Sequence, residues 1–79
     1  VIINNDGEIV IGDCSNHRIQ TFKMDGNFVR MFGKKGEGIN RFDCPAYVAQ
    51  DKQGNYYVSD DQHFIQVFDK NWDFIMKLG

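Results

Sequence analysis

Between two apolar runs, the stretch GDCSNHRIQTF (12–22) brings together Asp13, Cys14, His17 and Arg18. A carboxylate near an imidazole could share acid/base work. His17 with Cys14 and, further along, Cys44 offers the imidazole and thiolate donors that suit zinc. Arg18 carries a planar fork for a carboxylate or phosphate. The zinc reading lacks regular spacing and an evident fourth ligand. The acid/base reading meets a different obstacle: SDDQHFIQVF (59–68) has much the same order, one residue shorter. Asp13 and Asp60 therefore recur at the same place. A reaction centre needs one such residue, whereas an Asp that accepts backbone N–H bonds at a turn suits every copy of a unit. Both are expected as structural turn residues, with no catalytic residue, metal or cofactor.

The repeat extends beyond these corners. Aligning the chain with itself sets Gly7 on Gly54, Ile19 on Ile65, Phe22 on Phe68, Phe28 on Phe74 and Gly33 on Gly79. Each copy holds four short segments rich in β-branched and aromatic residues, punctuated by Gly, Asn and Asp. They are A (1–4 and 46–51), B (8–12 and 55–59), C (18–23 and 64–69) and D (28–32 and 74–78). Four strands in about 47 residues is the period of a propeller blade. The expectation is an all-β fold of two four-stranded antiparallel blades. The first spans 1–33 with strand A truncated at its start, an interblade loop covers 34–45, and the second blade covers 46–79. Large side chains on both parities of EIVIG, NYYVS and FVRMF fit sheets covered on both faces. Two blades alone leave two apolar faces open, so further blades or self-association are expected.

Length and composition fit this picture. The 79 residues allow one small domain, and 42% hydrophobic with 14% aromatic content is that of a folded chain. A net charge of −2 advertises no strong basic field for nucleic acid or anionic membrane. Two widely spaced cysteines set no disulfide framework and no CxxC site, which mildly favours a reducing, cytoplasmic setting. No apolar run approaches the roughly 18 to 20 residues that span a bilayer, so no membrane partner is expected. Opening on Val1 in mid-strand, the chain reads as a piece of a longer protein.

NHRIQTF (16–22), YYVSD (56–60) and INRFDCP (39–45) resemble the NHL repeat, and the resemblance covers essentially the whole chain, twice. It implies a six-bladed propeller of the kind found in tripartite-motif NHL proteins, which binds RNA or protein partners. Relatives of the fold include enzymes, so the fold alone does not settle activity. The second copy departs from the pattern, with Phe64 in place of Arg and Asn71-Trp72 in place of Asp-Gly.

Antiparallel strands send the B-to-C and D-to-A loops to one end of the blades, here called the top, and the hairpin turns to the other. The top collects Arg18, Lys34, Lys35, Arg41, Tyr47 and His63, the expected RNA or partner-binding residues. Each has an alternative. Arg18 could brace a neighbouring loop instead of a phosphate. GKKGEGINRFDCP (33–45) lacks the P-loop pattern and could be a flexible connection, with Phe42 tucked beneath it and Pro45 fixing the start of strand A. Tyr47, at the mouth of the inner strand, could stack on a base or merely fill space. Below, Asp25-Gly26 is read as a two-residue turn with both residues at positive φ. Trp72 in the equivalent turn either folds back on strand C or D or offers a second, protein-binding interface. The leading reading is an RNA-binding module, with a protein-interaction scaffold as its rival.

Overall fold

In the computed structural model, which describes residues 1–36, 38–61 and 64–79, eight of ten strands form two four-stranded blades. The first blade orders β1 (Ile2–Ile3), β2 (Ile9–Asp13), β3 (Arg18–Phe22) and β4 (Phe28–Phe32), all neighbours antiparallel. The second repeats this with β7 (Pro45–Gln50), β8 (Tyr56–Asp60), β9 (Ile65–Phe68) and β10 (Phe74–Leu78). Between them β5 (Lys34–Lys35) and β6 (Arg41–Phe42) pair in parallel, so the connection read as a loop has a frame of its own. Pro45 opens β7, a strand position that tolerates its missing N–H.

The blades meet through an apolar seam. Val10 and Ile19 from the first blade join Phe42 and, from the second, Val48, Tyr56, Val58 and Phe68 in one buried cluster. β2 runs close to β7: a Cβ on Gly12 would lie 2.3 Å from the Pro45 carbonyl oxygen. Only a residue without a side chain admits that approach. The outer strands are open, with Phe28 56%, Met31 50%, Met76 47% and Leu78 44% exposed. These are the uncovered faces that two sandwiched-type sheets leave when nothing lies against them.

The hairpin turns correct the two-residue expectation. In each, the strands close over three residues. Lys23 N–H donates to Asn27 O and Gly26 N–H to Lys23 O, and the turns starting at Asn4, Asp51 and Asp69 repeat the pattern. This is a type I turn followed by one left-handed residue. Only that last position needs positive φ, so Asp25 and Asn71 keep negative values while Gly7, Gly26, Gly54 and Trp72 supply it. Trp72 at φ +66 bears a cost of about 1–2 kcal/mol for the left-handed backbone. It folds back: the indole stacks on Tyr56 at 3.7 Å and 7°, and meets Phe32 of the other blade at 4.7 Å. Such contacts contribute about 0.5–1.5 kcal/mol each beyond area burial, enough to hold the turn in place.

Candidate functional site

The top face is built around the connection between the blades. Gln66, 3% exposed on β9, reaches across to hold it. Its Oε1 accepts the Asn40 N–H at 3.2 Å, and its Nε2 donates to Arg41 O at 2.9 Å and Gly38 O at 3.3 Å. Phe42 is fully buried under Gly33, whose absent Cβ would sit 2.9 Å from the Phe42 ring. The clamp fixes the register that sets Lys34 opposite Arg41 and Lys35 opposite Phe42. Side chains alternate along a strand, so Lys34 and Arg41 share one face while Lys35 lies on the other. All three are exposed, and among the described residues none of their side chains has a hydrogen bond or ion pair. Two cations held side by side, with no ion pair to either among the described residues, form a local positive site despite the net charge of −2.

Asp13 and Asp60, equivalent in sequence, have different partners. Asp60 Oδ2 accepts the Asp43 N–H at 2.8 Å and Oδ1 the Cys44 N–H at 3.3 Å, while the Asp61 N–H donates to Cys44 O at 3.2 Å. It ties the start of β7 to its own blade by accepting backbone N–H groups, as a structural Asp should. Asp13 instead gathers side chains. Its Oδ2 accepts from Asn16 Nδ2 at 2.9 Å, Arg18 Nε at 3.2 Å and Gln20 Nε2 at 3.2 Å. The Asn16 bond above all, against the opposing effect of burial, and then the Arg18 charge hold its carboxyl below the usual carboxylate range. Arg18 also turns Nη1 toward Met31 Sδ at 2.9 Å, so its guanidinium is already engaged by its own blade.

His17 leaves the short 3-10 turn Cys14–Asn16 in the left-handed conformation, φ +57, and its Nδ1 hydrogen-bonds the Asp43 carbonyl. Cys14 and Cys44 form a disulfide. The wide spacing of the two cysteines in sequence, read as setting no disulfide framework, therefore misled, because the fold brings the residues together. The thiolates of the imagined zinc set are committed to each other, and the cysteine pattern no longer argues for a reducing compartment. The short segment Asp43-Cys44 is thus gripped from both sides, covalently and through His17 by the first blade, and through Asp60 and Asp61 by the second.

Tyr47 lies on β7 just past a bulge and is 76% exposed. His63 falls outside the described residues. Trp72 is partly buried at the seam near the hairpin-turn end, away from this group. No helix among the described residues is long and apolar enough to cross a membrane.

Residues 1–22 match the sequence model of the NHL repeat. Over 82 aligned residues, covering the whole chain, the sequence is 32% identical to Protein brain tumor of Drosophila melanogaster. Over 46 residues, 58% of the chain, it is 44% identical to RING finger protein nhl-1 of Caenorhabditis elegans. The chain spans 8% of the length of the first relative and 5% of the second.

Proposed function

Given that the chain belongs to the NHL-repeat family, we propose that its top face binds single-stranded RNA. The observation that supports this reading is the exposed pair Lys34 and Arg41, side by side on a frame fixed by Gln66 with Lys35 on the other face of the same ribbon, and none of the three in an ion pair among the described residues; the exposed ring of Tyr47 belongs to the same end of the blades. Cations position the phosphate backbone and an aromatic face accepts a base, which is the chemistry single strands require. Arg18 contributes less than its sequence position suggests, because Asp13 neutralises it at 3.2 Å. On this reading the segment binds and does not catalyse, and any ligase chemistry belongs to other domains of a longer protein.

Fluorescence anisotropy with labelled single-stranded RNA tests the assignment. Tyr47→Ala weakens binding by about 1–3 kcal/mol if the ring stacks, and leaves the salt dependence unchanged. Unaltered affinity would remove Tyr47 from the site.

A second reading, a protein-interaction scaffold, rests on the open apolar strands β4 and β10. Their exposed Phe28, Met31, Met76 and Leu78 suit further blades or another copy of the chain. A chain that stays monomeric in dilute solution by light scattering contradicts self-association.

A further inference from the structure

Besides the main chain, one covalent bond joins the first blade to the connection at the top: the disulfide between Cys14 and Cys44, the only cysteines of the sequence. The repeat does not ask for it. Asp61 stands in the second blade where Cys14 stands in the first, and that blade builds the same corner without sulfur. The position of the bond is informative. Cys44 lies three residues past Arg41 and three before Tyr47, so the bridge pins the midpoint of the segment that carries both a cation and the exposed ring.

Lys34 and Arg41 stand side by side only while the blades keep one relation to each other. Lys34 leaves the first blade directly from β4, one residue after Gly33, whereas Arg41 is tied to the second blade by Gln66, which donates to its carbonyl at 2.9 Å. The Lys34 N–H reaches across to Asn40 O at 3.2 Å, in a ribbon with strands of two residues, too short to fix the blades by itself. Asp60 and Asp61 hold Asp43-Cys44 to the second blade, while the first blade holds it through the disulfide and the His17 bond to the Asp43 carbonyl. Breaking the S–S bond therefore leaves the segment with the second blade and reduces the first blade's grip to one side-chain hydrogen bond. The bond is within reach of a reductant, because Cys14 is exposed on its single 3-10 turn.

Building on the RNA reading of the top face, we propose that the Cys14–Cys44 disulfide is a redox latch. Oxidised, it sets Lys34, Arg41 and Tyr47 in the spacing that binds a single strand; reduced, it lets the first blade carry Lys34 away from the other two, and the order lost must be supplied again on binding. The reductant is a dithiol. Its thiolate attacks the Cys14 sulfur, the S–S bond breaks, and Cys44 leaves and takes a proton. The second thiol then gives up its proton and attacks the mixed disulfide, closing the reductant's own disulfide and releasing Cys14, which is protonated in turn. Two electrons and two protons pass from the dithiol to the two cysteines.

The test compares the full chain as oxidised, after reduction by dithiothreitol and after reoxidation, well below the thermal midpoint of the reduced form. The probe is labelled oligouridine of about ten nucleotides. Reduction weakens binding by about fivefold or more, reoxidation restores it, and Cys14→Ser combined with Cys44→Ser binds at the reduced level with or without dithiol. Linkage requires saturating oligouridine to shift the protein's dithiol–disulfide equilibrium toward the oxidised form by the same factor. Amide hydrogen exchange reads the frame without RNA. Reduction speeds exchange at Lys34 by about fivefold or more and leaves Asp43 and Cys44, held by Asp60, protected. Protection lost at all three alike makes the disulfide a staple of the whole fold and overturns the latch, as does a measurable RNA affinity equal in both forms. RNA bound by neither form, with Lys34 exchange still responding, overturns the RNA reading and with it this control of it.

Discussion

Replacing Gly12 by alanine is expected to open the seam between the blades. The added Cβ would lie 2.3 Å from the Pro45 carbonyl oxygen and 3.3 Å from its carbon. An oxygen of the backbone has no rotamer to escape into, so β2 and β7 must part by about 0.7 Å merely to reach 3.0 Å. That shift is transmitted to Val10, Ile19, Val48 and Tyr56, which pack across the seam. A gap of 0.5–1 Å forfeits about a quarter to a half of each dispersion contact, and overpacking of this kind costs about 1–3 kcal/mol. For a chain of this length the melting temperature falls by about 6–18 °C. Gly12→Ser, which copies Ser59 of the second blade, meets the same oxygen and should fall equally. Gly7→Ala is the control, because its φ is +79 but no atom lies within 4 Å, so it registers the backbone cost alone, about 1 kcal/mol. Thermal unfolding followed by circular dichroism decides the matter. A Gly12→Ala midpoint within about 2 °C of the parent, or no lower than that of Gly7→Ala, refutes the steric account of the seam.

Two further expectations concern the top-face corner. The disulfide closes a separation of 30 residues, so Cys14→Ser combined with Cys44→Ser should cost about 3–4 kcal/mol in urea unfolding. Reductant should lower the parent to the level of that variant and leave the variant unmoved. The carboxyl of Asp13 is held down chiefly by Asn16, opposed by burial and aided by Arg18. Its folded pKa lies below its unfolded value, so its stabilisation is present above about pH 4 and disappears as pH falls through the folded value. Stability of Asp13→Asn should accordingly vary less than the parent's between pH 6 and pH 2. Parallel pH profiles would contradict the role given to Asn16 and Arg18.

What could be read from the sequence follows from what is local. The strands were legible because β-branched and aromatic runs are interrupted by Gly, Asn and Asp at nearly even intervals. Self-alignment then showed that the runs come in fours. Strand D is expected at 28–32 and 74–78, where β4 and β10 lie. Details that depend on meetings in space were not legible. Nothing in a gap of 30 residues says that Cys14 and Cys44 approach each other. The turn type was misjudged because Asp-Gly suits a two-residue turn and a three-residue turn alike, and only the strand register distinguishes them. Gln66 did leave a signal. A Gln follows Ile in both copies, at Gln20 and Gln66, inside otherwise apolar strands, and a buried amide needs partners such as the interblade carbonyls it finds. Gly12 left one too, as a glycine where the second copy carries Ser59. The basic residues of the connection are legible as a cluster in sequence, but their arrangement, with Lys34 facing Arg41 and Lys35 apart, depends on the β5–β6 pairing.

The proposal that the top face binds RNA is tested most directly by the salt dependence of single-strand affinity. Log K is measured against log salt concentration for the parent and for the variant with Lys34, Lys35 and Arg41 all changed to alanine. Each phosphate contact contributes about −0.7 to the slope for a single strand, so loss of three contacts should flatten it by about 2 and weaken binding at low salt. Identical slopes and affinities for the two proteins would contradict the account.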